Sequence, residues 1–508
     1  MAYLIGLDVG TTGIKSIVMN AKGKILASAL EEYPLLLPRP GWAEQHPQDW
    51  WEATKRSLQR LLAESRVDKK QIKGLSFSGQ MHGLVCLDKD NNVLRPAILW
   101  CDLRTTEQCR QITEKIGPKR LIRLVSNPAL EGFTLPKVVW VKDKEPGVWK
   151  RIHRIMLPKD YVCFRLTGNQ GMEVSDGAGT LMMDVNKSQW CSPLLKALGI
   201  PEDILPALHR SIDVAGEVSA SIAAQTGLPA GLPIVYGGAD NACAAVGNGV
   251  VEEGLVAASI GTSGTVVAPT NKPRLQPEGR LHTFNHSVPD MWYLMGCMQA
   301  AGLSFRWLRD EFAASERATA ERTGRDPYEF LAEEAARAPA GSEGLVWLPY
   351  LSGERTPHLD PHAKGALFGV TARHKRAHVI RAVLEGVTFG MRDGLELMKK
   401  LKTPIRQIRL TGGGAKSALW RQIQADIYGQ EVVTINVDAG PPFGAAIIAG
   451  VGVGVYRDFA SACREMIKVA ERIELIEANV KAYNQTYTLF RELYPALKDS
   501  MAKASRLG

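Results

Sequence analysis

"DVGTTG", residues 8–13, closes one apolar stretch, "YLIGLDVG", and opens another, "IKSIVMN". Two β-rich runs joined by a Gly-Thr-Thr-Gly turn read as an antiparallel pair, and the run after "AKGK" completes a meander. The pattern returns at residues 259–265 as "SIGTSGT", again a strand end, a Gly-Thr-Ser-Gly turn and a β-branched strand. A repeated unit of this kind predicts two related domains facing one another.

Length agrees with that division. The 508 residues exceed one ordinary core, so two domains of roughly 200 to 250 residues are expected. "GNGVVEEG" near 246–254 interrupts the pattern and places the domains at 1–247 and 248–508. Strand-like runs ("IKGLSFSGQ", "LPIVYGG", "IRQIRLTGGG", "VVTINV") alternate with helical patterns at "PQDWWEATKRSLQRLLAES", 376–400, 416–429, from 443, and about 471–498. The chain is therefore of mixed α/β class.

Hydrophobic residues at 45% and charged residues at 23% are ordinary for a globular protein,. The net charge of +9 is spread over short clusters such as "KDKEPGVWKRIHR" and "RHKRAH". Acidic or apolar residues break these clusters, so neither nucleic acid nor a membrane is expected as partner. Eight cysteines, at 86, 101, 109, 163, 191, 243, 297 and 463, form no CxxC pair. They suit reduced thiols in the cytoplasm. "MAYLIGLDVG" lacks a basic signal region, and "GAAIIAGVGVGVY" is too short and Gly-rich to cross a bilayer,.

Turns rich in Gly, Thr and Ser present backbone N–H groups and hydroxyls to phosphate oxygens. One such turn reads equally as a hairpin, but two, each opening a domain, point to a polyphosphate held between them. Asp8 precedes the first turn, where a carboxylate can face a hydrated Mg²⁺, or simply end the strand. Lys15 lies on the strand leaving it and reads equally as added positive charge for phosphate or as an exposed strand lysine. "LTGGGAKSALW", 410–420, joins a strand to a helix started by Ser417, and its glycines let a flat ring approach the backbone,. It lacks the G-x-G-x-x-G spacing of a dinucleotide site.

Asp240 stands in "YGGADNACAAVGNG". It reads either as a helix N-cap or as a general base that takes a proton from an attacking hydroxyl. Asn241 beside it can orient the same substrate. "SFSGQMHG" places Gln80, Met81 and His82 between glycines at a strand end, a pocket suited to a small polyol, and "AILWCDLR" supplies Trp100 as an apolar wall with Asp102 and Arg104 as an internal ion pair. Two groupings are rejected as metal sites. Glu354, His358, Asp360 and His362 lie in a proline-rich loop that turns them apart, and His374 with His378 lacks a third ligand.

These motifs, with "GWAEQHPQDWW", "RPAILW", "GFTLPKVVWV", "LPKDYV", "LPYLSGERTPHLDPHAKGALFGVT" and "RAVLEGV", resemble the FGGY carbohydrate kinases over nearly the whole chain. The resemblance implies two actin-like, ribonuclease H-like ATPase domains with MgATP in the cleft between them. It implies that Asp8, Gly10, Thr11 and Thr12 face phosphates and metal, as do Gly261, Thr262 and Ser263. Gly302, Gly413, Gly414 and Ser417 are implied at the nucleotide, and Asp240 as catalytic base beside the Mg²⁺. Met81 and His82 stand where glycerol-phosphorylating members carry Arg-Glu, and resemble members acting on D-xylulose. The sugar is then held by Gln80, Met81, His82, Trp100, Asp240 and Asn241. Cys101 departs from an Asn common at that position. A homodimer is one assembly the family implies. Two rival readings are a kinase for another ketose or polyol and a non-catalytic nucleotide-dependent sugar sensor.

Overall fold

The computed structural model describes residues 2–437 and 440–507. Strand β1 (Tyr3–Val9) pairs antiparallel with β2 (Gly13–Asn20), which pairs with β3 (Ile25–Glu32). On the other side of β1 run β4 (Ile72–Gly79), parallel to it, and β6 (Pro233–Ala239), parallel to β4. β5 (Val214–Glu217) closes the edge antiparallel, giving the order β5-β6-β4-β1-β2-β3.

The second sheet repeats this plan. β7 (Gly254–Ile260) pairs antiparallel with β8 (Gly264–Thr270), and β8 pairs with β10 (Trp292–Met298), beyond which lies β9 (His282–Asn285). Across β7 come β11 (Ile405–Gly412) and β12 (Val432–Ile435), both parallel, and then β13 (Val469–Ile473) antiparallel at the edge. The order β9-β10-β8-β7-β11-β12-β13 matches the first sheet strand for strand, with one extra strand at the meander edge. The two Gly-Thr turns thus occupy equivalent places, at the carboxyl ends of β1 and β7.

Near-continuous apolar stretches form the central strands because both faces are covered, as parallel sheets require. Helix α1 (Pro47–Ser65) spans the residues its periodicity predicts and buries Trp50, Trp51, Leu58 and Leu61. The long helix α6 (Arg376–Lys400) packs on the second sheet. The C-terminal helix α9 (Glu477–Ala504) begins six residues after the predicted 471, because residues 469–473 are taken by the edge strand β13.

The layers interleave. Helix α8 (Pro441–Gly452) is buried along most of its length and packs on β1, β4 and helix α4 (Asp240–Gly247). Glycine permits this approach. A Cβ on Gly444 would lie 1.8 Å from the Cys243 carbonyl oxygen, and one on Gly6 1.8 Å from that of Pro442. In the other direction, Asn127 acts as a side-chain rung on the outer strand β9. It donates to the Thr283 carbonyl at 2.9 Å and accepts from the Thr283 N–H at 3.3 Å. No helix among the described residues is long and apolar enough to cross a membrane.

Candidate active site

The first turn is braced from four directions. Gln45 Nε2 donates to the Thr11 carbonyl at 2.7 Å, Gln80 Nε2 to the Gly10 carbonyl at 3.3 Å, and Tyr33 Oη also to Gly10. Trp100 Nε1 donates to Thr11 Oγ1 at 2.9 Å, and that hydroxyl donates on to Gln80 Oε1 at 3.2 Å. Gln45 Oε1 in turn accepts from Trp50 Nε1 and Gln80 Nε2. Thr12 is exposed at the tip and free to meet a ligand. Gln80, read from sequence as a sugar ligand, thus has its amide committed to holding the turn, and Trp100, read as an apolar wall, fixes Thr11.

The second turn is braced by the start of helix α5 (Gly302–Phe312). Gly302 N–H donates to the Gly261 carbonyl at 2.8 Å and Leu303 N–H to that of Thr262 at 3.0 Å. A Cβ on Gly302 would lie 2.3 Å from the Gly261 oxygen, so this glycine supports the turn. Gly261, Thr262 and Ser263 themselves are exposed. Beside them, Gly412 pairs in register with Ile260 and leads into Gly413 and Gly414. Ser417 caps helix α7 (Ala418–Tyr428) by accepting from the Trp420 N–H at 3.3 Å.

Two carboxylates face this frame. Asp8 lies at the end of β1, in register with Ser78 of β4 and with the exposed Lys15 of β2. Burial raises its pKa, and the Ser78 hydroxyl and the Lys15 charge oppose the rise. Its Oδ1 is sealed from solvent without a hydrogen-bond partner. Asp240 is the first residue of α4 and does not cap it; Ala239 holds the cap position. Asp240 Oδ1 accepts from the Asn241 N–H at 2.6 Å and from Asn241 Nδ2 at 2.8 Å, while Oδ2 has no partner among the described residues. Burial, and then the negative charge of Asp8, push its pKa up to about 7, against the pull of the Asn241 bonds.

Asn241 Nδ2 also reaches Met81 Sδ at 3.6 Å, which joins the Asp240 end of the site to the 80–82 segment. His82 takes a positive φ of 70° and places Nδ1 2.6 Å from the Gly179 carbonyl. Nδ1 therefore carries the proton, and Nε2 is left as an acceptor with no partner among the described residues. Burial holds this imidazole neutral, with its pKa lowered to about 3. Phe133 packs on the ring at 4.8 Å between centroids, and buried Lys137 fixes the 131–133 loop by donating to its three carbonyls at 2.6 to 2.9 Å. Cys101 is half-buried against the core of the first domain. Asp102 and Arg104 form the expected internal ion pair at 2.7 Å.

Tyr33, Gln45, Trp50, Phe133 and Lys137 had no functional reading in the sequence, although all but Tyr33 lie in motifs quoted from it. Neither had Arg355, which comes from the second half of the chain to the vicinity of Gly132 and His82. A Cβ on Gly132 would sit 3.6 Å from its Nη2, and its charge helps keep His82 and His282 neutral. Its neighbours in the rejected metal grouping point to separate partners. Glu354 accepts from the Gln299 and Arg355 N–H groups, His358 meets Tyr350 Oη at 3.0 Å, and Asp360 accepts from Tyr494 Oη at 2.7 Å.

Ligands of open α/β sheets bind at the carboxyl ends of the strands. Here two duplicated sheets carry hydroxyl-rich turns at those ends, opposite a carboxylate with a perturbed pKa, which defines a two-domain phosphotransferase of the actin-like ATPase class. The chain belongs to the FGGY family of carbohydrate kinases, whose N-terminal domain model matches residues 3–247 and whose C-terminal domain model matches residues 256–453. It is 40% identical over 499 residues to a xylulose kinase of Bacillus subtilis (strain 168), covering 98% of each chain. It is 36% identical over 505 residues to a xylulose kinase of Escherichia coli (strain K12), covering 98% of this chain and 100% of the other. A ligand-bound xylulose kinase from Lactobacillus acidophilus superposes with a TM-score of 0.92 at 27% identity, over 99% of this chain and 100% of that one.

Proposed function

We propose that this chain transfers the γ-phosphoryl group of ATP to D-xylulose, giving D-xylulose 5-phosphate and ADP. The observation that carries the proposal is Asp240, with one carboxylate oxygen pinned by Asn241 and the other free, a pKa near neutrality, and a link through Asn241 to Met81. Oδ2 takes the proton of the C5 hydroxyl as that oxygen attacks the γ-phosphorus. Gly10, Thr11 and Thr12 with Gly261, Thr262 and Ser263 hold the phosphates, Lys15 adds charge, and Gly413, Gly414 and Ser417 border the adenosine. His82 Nε2 accepts from a sugar hydroxyl, and Trp100 walls the pocket. Phosphoryl transfer has a loose transition state, so positioning by these groups supplies most of the rate.

The donor set fits a hydrated Mg²⁺. Asp8 carries a buried, unpartnered oxygen close enough to Asp240 for the two charges to interact, and Mg²⁺ in kinase sites needs only one or two carboxylates besides phosphate oxygens. When bound, the ion neutralises the phosphate charge. We also read the protein as a cytoplasmic enzyme with small molecules as its partners, and as a homodimer, which light scattering tests.

ADP release from MgATP, measured without sugar and with D-xylulose, D-ribulose, L-ribulose, xylitol or glycerol, tests the reading. Strong stimulation by D-xylulose is expected. Stimulation by another sugar moves the specificity and makes Cys101 the first residue to exchange. No stimulation by any of them points to the sensor.

A further inference from the structure

Outside this site, the loop that carries Arg355 has a second face. His358 and Pro357 line a cavity of about 320 Å³ between α6 and α9. Four cations border it, Arg280, Lys400, Arg491 and Lys498. Arg280 is paired with Glu278 at 2.7 Å, but Lys400, Arg491 and Lys498 form no ion pair among the described residues. The carboxylates nearby offset part of this charge, Arg491 acting on Asp393 and Lys498 on Asp360. Glu396 is held by Lys399 at 3.0 Å, and Asp393 accepts from Tyr487 Oη at 2.6 Å. The excess charge is felt locally, since burial and then Arg280 and Lys498 lower the pKa of His358 to about 4, against the opposing charge of Asp360. Lys and Arg side chains that outnumber the carboxylates lining a cavity suit a phosphate monoester, which carries a charge of about −1.5 to −2 near pH 7 and strong acceptor oxygens.

Hydrogen bonds tie Arg280 at the cavity to Thr356, the chain neighbour of Arg355. Thr356 Oγ1 donates to the Arg280 carbonyl at 2.9 Å and accepts from the Cys297 N–H at 3.0 Å, while the Thr356 N–H donates to the Cys297 carbonyl at 3.0 Å. Arg355, one residue before, faces Gly132 and His82. We propose that the α6–α9 cavity binds a small sugar phosphate and that Thr356 carries its occupancy to Arg355, changing the affinity of the sugar pocket.

The probe is D-ribose 5-phosphate, titrated calorimetrically with saturating ADP and D-xylulose present so that the cleft is filled, with inorganic phosphate titrated in parallel. Saturable binding of ribose 5-phosphate is expected in the unaltered chain, tighter than that of phosphate. It should weaken at least about tenfold in the Arg491→Ala/Lys498→Ala double variant, whose turnover without the probe stays normal and shows that it is folded. Thr356→Val should keep the binding but lose the change in KM for sugar that the probe causes. The site is overturned if the unaltered chain shows no saturable binding at millimolar probe, if the double variant binds equally well, or if phosphate alone binds as tightly. Binding without any change in KM overturns the coupling. Loss of binding in the double variant separates the cavity from an unfilled cleft, so the site stands or fails separately from the choice of sugar.

Discussion

Asp240 Oδ1 is held by two hydrogen bonds from Asn241, at 2.6 Å from the backbone and 2.8 Å from the side chain. The carboxylate cannot rotate without breaking both, so its second oxygen is presented in a fixed direction. Asp240→Asn keeps the shape and removes the base. General-base loss costs about 10²- to 10⁴-fold in rate, so kcat should fall within that range, while calorimetric affinity for D-xylulose should change by no more than a few fold. Near-normal kcat would remove Asp240 from the reaction.

The same carboxyl sets a pH dependence. A base with a pKa of about 7 in the free enzyme is protonated and inactive below that value, so kcat/KM should decline as pH falls through about 7. Stability runs the other way. The folded pKa lies above the ordinary 3.8, so the native state binds more protons than the unfolded one between those values, and the ligand-free protein loses stability as pH rises through that window. Asp240→Asn escapes this loss. Its Tm should match the parent near pH 4 and exceed it at pH 8, by an amount worth at most roughly 4 kcal/mol. Equal Tm values at pH 8 would mean that the ionised carboxylate is not destabilising.

What the sequence made legible was the part of the site encoded in contiguous backbone. Both Gly-Thr turns, the Gly413–Gly414 corner and Asp240 lie within strand-turn units whose pattern is local. The glycines before Asp240 answer to packing. A Cβ on Gly237, at φ +83°, would sit 2.0 Å from the Phe77 carbonyl, and one on Gly238 2.1 Å from Ser287 Oγ. Close packing of β6 on β4 and against the second half of the chain demands them, whether or not a sugar comes near. The braces were illegible for a different reason. Tyr33 and Gln45 brace the first turn from 20 to 40 residues away, Trp50 supports Gln45 from helix α1, and Arg355 reaches Gly132 from the second half of the chain; local periodicity names none of these partners.

Gln80 tests the bracing of the first turn. Gln80→Leu fills similar space but removes the bonds to the Gly10 carbonyl, Gln45 and Thr11. Each buried polar partner left unsatisfied costs about 1 to 3 kcal/mol, and the turn that faces the phosphates loosens. KM for ATP should rise about tenfold or more, with a lowered Tm. A rise confined to the KM for sugar would instead make Gln80 a sugar ligand.

His82 is expected to act as a neutral acceptor, so its protonation should leave no mark on the pH profile above about pH 4. His82→Phe keeps an aromatic ring against Phe133 but loses both the Gly179 bond and the Nε2 acceptor. A lost hydrogen bond to an uncharged substrate group costs about 0.5 to 1.5 kcal/mol, so KM for D-xylulose should rise severalfold to about tenfold, and kcat should fall less. An unchanged sugar KM would place His82 outside the pocket.

Gly444 tests whether the second half of the chain positions the base. Its Cα is so close to α4 that an added Cβ would lie 1.8 Å from the Cys243 carbonyl oxygen, three residues beyond Asp240 in the same helix. Gly444→Ala must therefore push α8 and α4 apart. Overpacking of this kind costs about 1 to 3 kcal/mol or more, and the displacement moves Asp240 relative to the two turns. Both Tm and kcat should drop, with ATP affinity less affected, because the turns themselves are braced elsewhere. Gly147→Ala is the control, since a Cβ there meets nothing within 4 Å and should leave both quantities unchanged. If Gly444→Ala lowered Tm but left kcat intact, the α4–α8 contact would serve stability alone, and Asp240 would be placed by β6 and Asn241 without help from α8.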